Sequence, residues 1–313
     1  MKSMRNIEII IKLAAAMLAA LTSLGANGQE NEWNDRPEKA DSVFFLPVEY
    51  TCDPGDNGLR GPEEVRKNLV FANVTKAEMK VYLPKSEKPT SCVVIFPGGG
   101  YEGVWVGNVG VPGAEFFINN GIAVVVVKYR LPNGHIEVPV LDGQQAIRMI
   151  RMNAGKWNID PEKIGICGSS AGGHLAAMLA VHYTPADPAS DKELDHYTSR
   201  PDFVILLKGV IYESKGGTMS NSLGPDPSEE KQRYCNALNY VTADLAPTFI
   251  AHCYDDPAAP CPGMVEFFLA LRKAGVPAEM HIYDSGGHGI SFWDKGKPMD
   301  EWMGSLLKWK WLR

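Results

Sequence analysis

Apolar positions fall along this chain in two rhythms. Short unbroken runs at 92–96, 122–127, 164–167 and 203–207 are too short for helices and carry no polar face, which predicts strands buried on both sides of a sheet. Residues 248–253 and 280–283 predict two more strands, and 69–74 with 78–83 predict an antiparallel pair ahead of them. Between the runs the spacing turns helical, at 112–120, 171–183 and 264–274. Ala146, Ile147, Ile150 and Ala154 form one apolar face, and Asp142 with Gln145 three residues on predicts a capping box at the start of that helix. Met299, Trp302, Met303, Leu306 and Leu307 close the chain at helical spacing. Residues 29–66 are polar and predict an extended surface segment, while 213–246 predict an irregular, partly helical insertion after the sixth strand. Strands alternating with helices imply an α/β fold with a mostly parallel sheet covered on both faces, over residues 67–313.

The first 28 residues change the picture of where the protein works. Lys2, Arg5 and Lys12 precede an apolar run at 13–24 that ends in Ala26-Asn27-Gly28, the layout of a cleaved export leader. The run falls short of the about 20 residues that span a bilayer. A periplasmic or secreted product without a membrane span is expected. The chain carries 31 basic and 37 acidic residues, and the leader holds three and one of them, so the formal charge of −6 becomes −8 on cleavage. Such an acidic product has no use for nucleic acid. Of the six cysteines, Cys92, Cys167 and Cys253 sit in strand-like runs, whereas one disulfide is open among Cys52, Cys235 and Cys261. No spacing of His and Cys suggests a metal.

In sheets of this kind ligands gather at the carboxyl ends of strands, and the candidate chemistry stands there. The run at 164–167 leads into Gly168-x-Ser170-x-Gly172, a pattern that holds a serine on a strained strand-to-helix turn. The N–H of Ala171 then faces any negative charge formed beside the hydroxyl. After the strand at 92–96 come Gly98, Gly99 and Gly100, whose N–H groups reach a ligand unobstructed and predict an oxyanion hole of Gly99, Gly100 and Ala171. Asp255 and Asp256 follow the strand at 248–253, and His288 stands among glycines after the last one. Ser170, Asp255 and His288 give the order nucleophile, acid, base. His174 and His281, with apolar neighbours, read as structural. Tyr101, Trp105 and the insertion are expected at the cavity mouth, Trp105 serving equally well as a core residue.

Pro97-Gly98-Gly99-Gly100-Tyr101, Lys128-Tyr129-Arg130-Leu131-Pro132, Asp160-Pro161, Gly168-Ser169-Ser170-Ala171-Gly172-Gly173-His174-Leu175-Ala176, Asp255-Asp256-Pro257 and Gly286-Gly287-His288-Gly289 together resemble the acetylxylan-esterase-like branch of the α/β-hydrolases, which includes bifunctional acetyl/feruloyl esterases. The resemblance implies a cofactor-free serine carboxylesterase acting on acylated plant polysaccharide or its oligosaccharides. It also implies Asp255 as the acid, with Asp256 second. Pro257-Ala258-Ala259-Pro260 departs from the valine-containing run of many relatives. Rival readings are a feruloyl esterase, a lactone hydrolase, a peptidase on the same fold, and a carbohydrate-binding protein without activity. The oligomeric state and the acyl group stay open.

Overall fold

The buried runs assemble side by side. Eight strands, β1 Ala40–Pro47, β2 Glu78–Pro84, β3 Thr90–Phe96, β4 Ala123–Lys128, β5 Ile159–Ser169, β6 Val204–Leu207, β7 Thr248–Cys253 and β8 Ala278–Tyr283, form one sheet in the order β1-β2-β4-β3-β5-β6-β7-β8 among the described residues. Only β2 runs against its neighbours β1 and β4; every other pairing is parallel. The computed structural model describes residues 33, 36–212, 214, 217–292 and 296–313, so the expected leader at 1–28 lies outside the described residues. The sheet and its helices belong to the unit Asp35–Arg313.

Val93, Val94, Ile95, Phe96 and the valines at 124–127 have no accessible surface, each burial contributing on the order of 1.5–3 kcal/mol. Helices α1 Val111–Asn119, α2 Glu137–Asn153, α3 Ala171–Val181, α4 Thr218–Leu223, α5 Glu229–Cys235, α6 Cys261–Lys273 and α7 Glu301–Lys308 flank the sheet, α4 and α5 lying in the insertion after β6. Trp302 and Leu306, two of the closing apolar residues, are fully buried. Parallel strands joined through helices bring the carboxyl ends of β3, β5, β6, β7 and β8 to one edge of the sheet.

Three expectations need correction. The sheet does not begin after residue 67: the preceding segment supplies β1, an edge strand that pairs with β2 from Ala40 against Pro84 to Pro47 against Glu78. Residues 69–74 do not pair with β2. A strand of only Val70–Ala72 joins Glu64–Arg66 and Val104–Trp105 in a separate small sheet, because Asn68, Leu69 and Asn73 on its two flanks have positive φ and cut the strand short. Finally, Asp142 does not cap a helix. The helix begins at Glu137, with Pro139 tolerated in its first turn, and Asp142 is buried in its interior. There its carboxylate accepts hydrogen bonds from Arg130 N at 2.8 Å, Arg130 Nη2 at 2.5 Å and Tyr50 OH at 2.6 Å.

Candidate active site

Ser170 sits at the joint between β5 and α3 with φ 57° and ψ −121°, a conformation that a non-glycine residue adopts only under constraint from its surroundings. The constraint is close packing. A Cβ at Gly168 would lie 2.0 Å from the carbonyl oxygen of Gly172, and one at Gly172 would lie 1.9 Å from that of Phe96, so strand, turn and helix approach closer than any side chain allows. The N–H of Ser170 donates to Leu207 O of β6 at 3.0 Å.

The loop after β8 brings in His288. Ser170 Oγ lies 2.9 Å from His288 Nε2, and His288 Nδ1–H donates to Asp256 Oδ2 at 2.6 Å. The carboxylate partner is therefore Asp256 and not Asp255. The bend at Pro257 aims Asp256 inward, where its Oδ1 accepts from the N–H groups of Ala258 and Ala259, both at 2.9 Å. Burial pushes the Asp256 carboxyl up, but the bonds from His288 and those two amides outweigh it and hold the group below the usual carboxylate range. Behind it, fully buried His252 donates from Nε2 to Ala259 O at 2.8 Å and lies 3.6 Å from Asp256 Oδ2. Asp255 is exposed and accepts from Gly287 N at 2.7 Å and Gly286 N at 3.2 Å.

Gly98, Gly99 and Gly100 line a cavity of about 680 Å³ together with Ser170 and His288. Gly99 has φ 130°, and a Cβ there would strike Gly103 O at 2.2 Å and the Trp105 ring at 2.4 Å. Tyr129 OH donates to Pro97 O at 2.6 Å and Asn221 Nδ2 of α4 to Gly100 O at 2.8 Å, which pins the loop from both ends. Ala171 is the first residue of α3, so its N–H has no carbonyl within the helix to pair with. Of the three expected oxyanion residues, Gly99 and Gly100 line the cavity with the serine, and Ala171 follows it at the head of α3.

Tyr101 is not at the cavity mouth. It turns inward, and its OH donates to Nδ1 of buried His174, whose Nε2–H donates to Cys235 O. Burial pushes the His174 imidazole down to about 4, in keeping with a structural role. Trp105 is 43% exposed and does line the cavity. The six cysteines are all free thiols, with Cys52 exposed and Cys235 and Cys261 buried, so the bridge left open by the sequence does not form. Among the described residues no helix is long and apolar enough to cross a membrane, and no three His, Cys, Asp or Glu residues group as metal ligands. Two residues went unread in the sequence. Lys208, directly after β6, lines the cavity and donates from Nζ to His288 O at 2.9 Å; its place at a strand end was the available signal. Asn221 carried none.

A family model described as BD-FAE matches residues 79–271 of this chain. The chain belongs to that family, within the acetylxylan-esterase-like branch of the α/β-hydrolases. The BD-FAE match takes in the glycine loop, Ser170 and Asp256, while His288 lies beyond it. An acetylxylan esterase of Xylanibacter ruminicola is 32% identical over 243 residues, 75% of this chain and 48% of that protein. Endo-1,4-beta-xylanase B of Butyrivibrio fibrisolvens is 30% identical over 67% of this chain and 34% of its own length. The chain thus spans half or less of these two curated relatives. The solved acetyl ester-xyloside bifunctional hydrolase of Caldicellulosiruptor lactoaceticus superposes with a TM-score of 0.71 at 30% identity, covering 85% of this chain and 94% of that one.

Proposed function

We propose that this protein is a serine carboxylesterase that removes short acyl groups, acetyl above all, from plant polysaccharide or its oligosaccharides. The observation that carries the reading is the continuous path from Ser170 Oγ through His288 to Asp256, at 2.9 and 2.6 Å, beneath the glycine loop. As the serine oxygen attacks the ester carbonyl carbon, His288 Nε2 takes its proton, and Asp256 holds the ring with Nδ1 protonated and offsets its charge. The carbonyl oxygen becomes an oxyanion facing the N–H groups of Ala171, Gly99 and Gly100, each such donor contributing about 3 kcal/mol in comparable sites. Collapse expels the alcohol with the proton from His288, leaving an acyl-serine. Water, deprotonated by the same imidazole, attacks the acyl carbon and releases the acid and the serine.

The named relatives, an acetylxylan esterase and an acetyl ester-xyloside hydrolase, support the choice of substrate class. Trp105 on the cavity wall favours one second reading, a feruloyl esterase, since its ring could stack on an aromatic acyl group. Comparing kcat/KM for acetyl, butyryl, octanoyl and feruloyl esters separates them. A maximum at acetyl, with acetate released from acetylated xylo-oligosaccharide, is expected. A maximum at octanoyl would refute the short-acyl reading, and one at feruloyl would replace it with the second.

A further inference from the structure

The imidazole of His288 rides on a loop that its own sequence does little to hold. Gly286 and Gly287 precede it with φ 138° and 57°, Gly289 follows, and the histidine is only half-buried. Glycines leave a turn free to take many shapes, yet Nε2 must stay within hydrogen-bond reach of Ser170 and Nδ1 of Asp256. Two charged side chains from other strand ends fasten this turn. Asp255 accepts the N–H of Gly286 with one carboxylate oxygen and that of Gly287 with the other. Lys208 donates its ammonium proton to the carbonyl oxygen of His288 itself, at 2.9 Å. Its backbone reaches this place in a left-handed conformation, φ 42°, uncommon for a residue with a long side chain.

We propose that Lys208 and Asp255 are positioning residues that brace the His288 turn, a carboxylate holding its N–H groups and an ammonium holding its carbonyl. Each holds the backbone of the turn rather than the His288 ring. An aspartate side chain suits the first task because its two oxygens accept two consecutive N–H groups, and hydrogen bonds to charged partners are about twice as strong as neutral ones. The long side chain of lysine suits the second, carrying the ammonium from the end of β6 to the His288 carbonyl oxygen. With the brace intact the base is preorganised; without it the ring samples positions displaced from the serine, and a displacement of about 1 Å can lower a rate by about a hundredfold.

The inference rests on the reading of Ser170, His288 and Asp256 as the hydrolytic set, and the test keeps the two apart. Steady-state kinetics on p-nitrophenyl acetate and the rate of Ser170 labelling by a fluorophosphonate are measured for the parent, Asp255→Asn, Lys208→Met, Lys208→Arg and the double variant Asp255→Asn/Lys208→Met. Each of the first two substitutions is expected to lower kcat about ten- to a hundredfold with KM nearly unchanged, and to slow labelling in parallel. Lys208→Arg, which keeps a cationic donor, should recover most of kcat. The double variant should fall by less than the product of the single losses, because both release the same turn. Single variants within about twofold of the parent in kcat would overturn the brace, as would a raised KM with intact kcat for Lys208→Met, which would make the lysine a substrate contact. Thermal melts verify folding, and if one single variant does not fold the other decides. A parent that neither labels nor hydrolyses would instead overturn the hydrolytic reading itself.

Discussion

Two adjacent aspartates hold the same histidine turn, Asp255 by the backbone of Gly286 and Gly287 and Asp256 by the His288 ring, and exchanging either for asparagine separates their roles. Asp256→Asn places an amide against His288 Nδ1 and favours the wrong tautomer, so kcat is expected to drop by about 10⁴-fold, as in other sites of this design. The loss should far exceed that of Asp255→Asn, and a smaller loss for Asp256→Asn would reverse the assignment. Local sequence could not choose between them. What orients Asp256 is the turn that points the N–H groups of Ala258 and Ala259 at it, and the histidine it meets is 32 residues away. Ser170 and the glycine loop, by contrast, were legible because their constraints are local: a turn that excludes Cβ atoms writes itself as glycine.

His174 gives a second prediction at this scale. Its imidazole titrates near 6.5 in the unfolded chain and at about 4 when folded, so the folded state binds fewer protons between those values. Its depressed value leaves stability undiminished above pH 6.5 and removes it as pH falls toward 4, by roughly 3 kcal/mol. Urea midpoints at pH 7 and pH 4.5 should therefore differ less in His174→Gln than in the parent. An equal difference in both proteins would place the acid sensitivity elsewhere.

At the scale of elements, α2 shows how a long-range partner overrides a local signal. Asp142 and Gln145 are spaced as a capping box, yet Arg130 of the β4–α2 connection draws the aspartate into the interior of the helix. Asp142→Ala would leave the buried guanidinium without its partner and is expected to destabilise the fold by about 3–5 kcal/mol, read as a lower Tm and urea midpoint. A change below about 1 kcal/mol would contradict the pairing. The edge strand β1 escaped the sequence for a different reason: Val43-Phe44-Phe45-Leu46 is an apolar run of only four residues inside a polar, proline- and charge-rich segment, and at the sheet edge Phe45 stays 47% accessible. The elbow makes a sharper case. Gly172→Ala drives a methyl into the carbonyl oxygen of Phe96, which ends β3, and is expected to abolish fluorophosphonate labelling of Ser170 even where circular dichroism still reports a folded sheet.

For the whole molecule, the sheet is the part most legible beforehand, since strands buried on both faces must be apolar throughout and stand out from any background. Which strands lie beside each other was not written locally. The crossing of β3 and β4 and the split of the small sheet from β2 arise from packing across the whole chain. The sequence expectation of export remains as a proposal at this scale: the mature protein recovered from the periplasm or medium should begin at Gln29, and a product still carrying Met1 would oppose it.

Ser170 and His288 also arrive at different times. Ser170 lies near the middle of the sequence, while His288 comes after β8, an edge strand that among the described residues pairs only with β7. On the proposed mechanism, a polypeptide emerging in chain order carries Ser170 before the residue that would deprotonate it, and is expected to be inactive until β8 has joined the sheet. Esterase turnover regained on refolding should accordingly lag the recovery of the central strands, making activity itself a report that the edge strand β8 has docked.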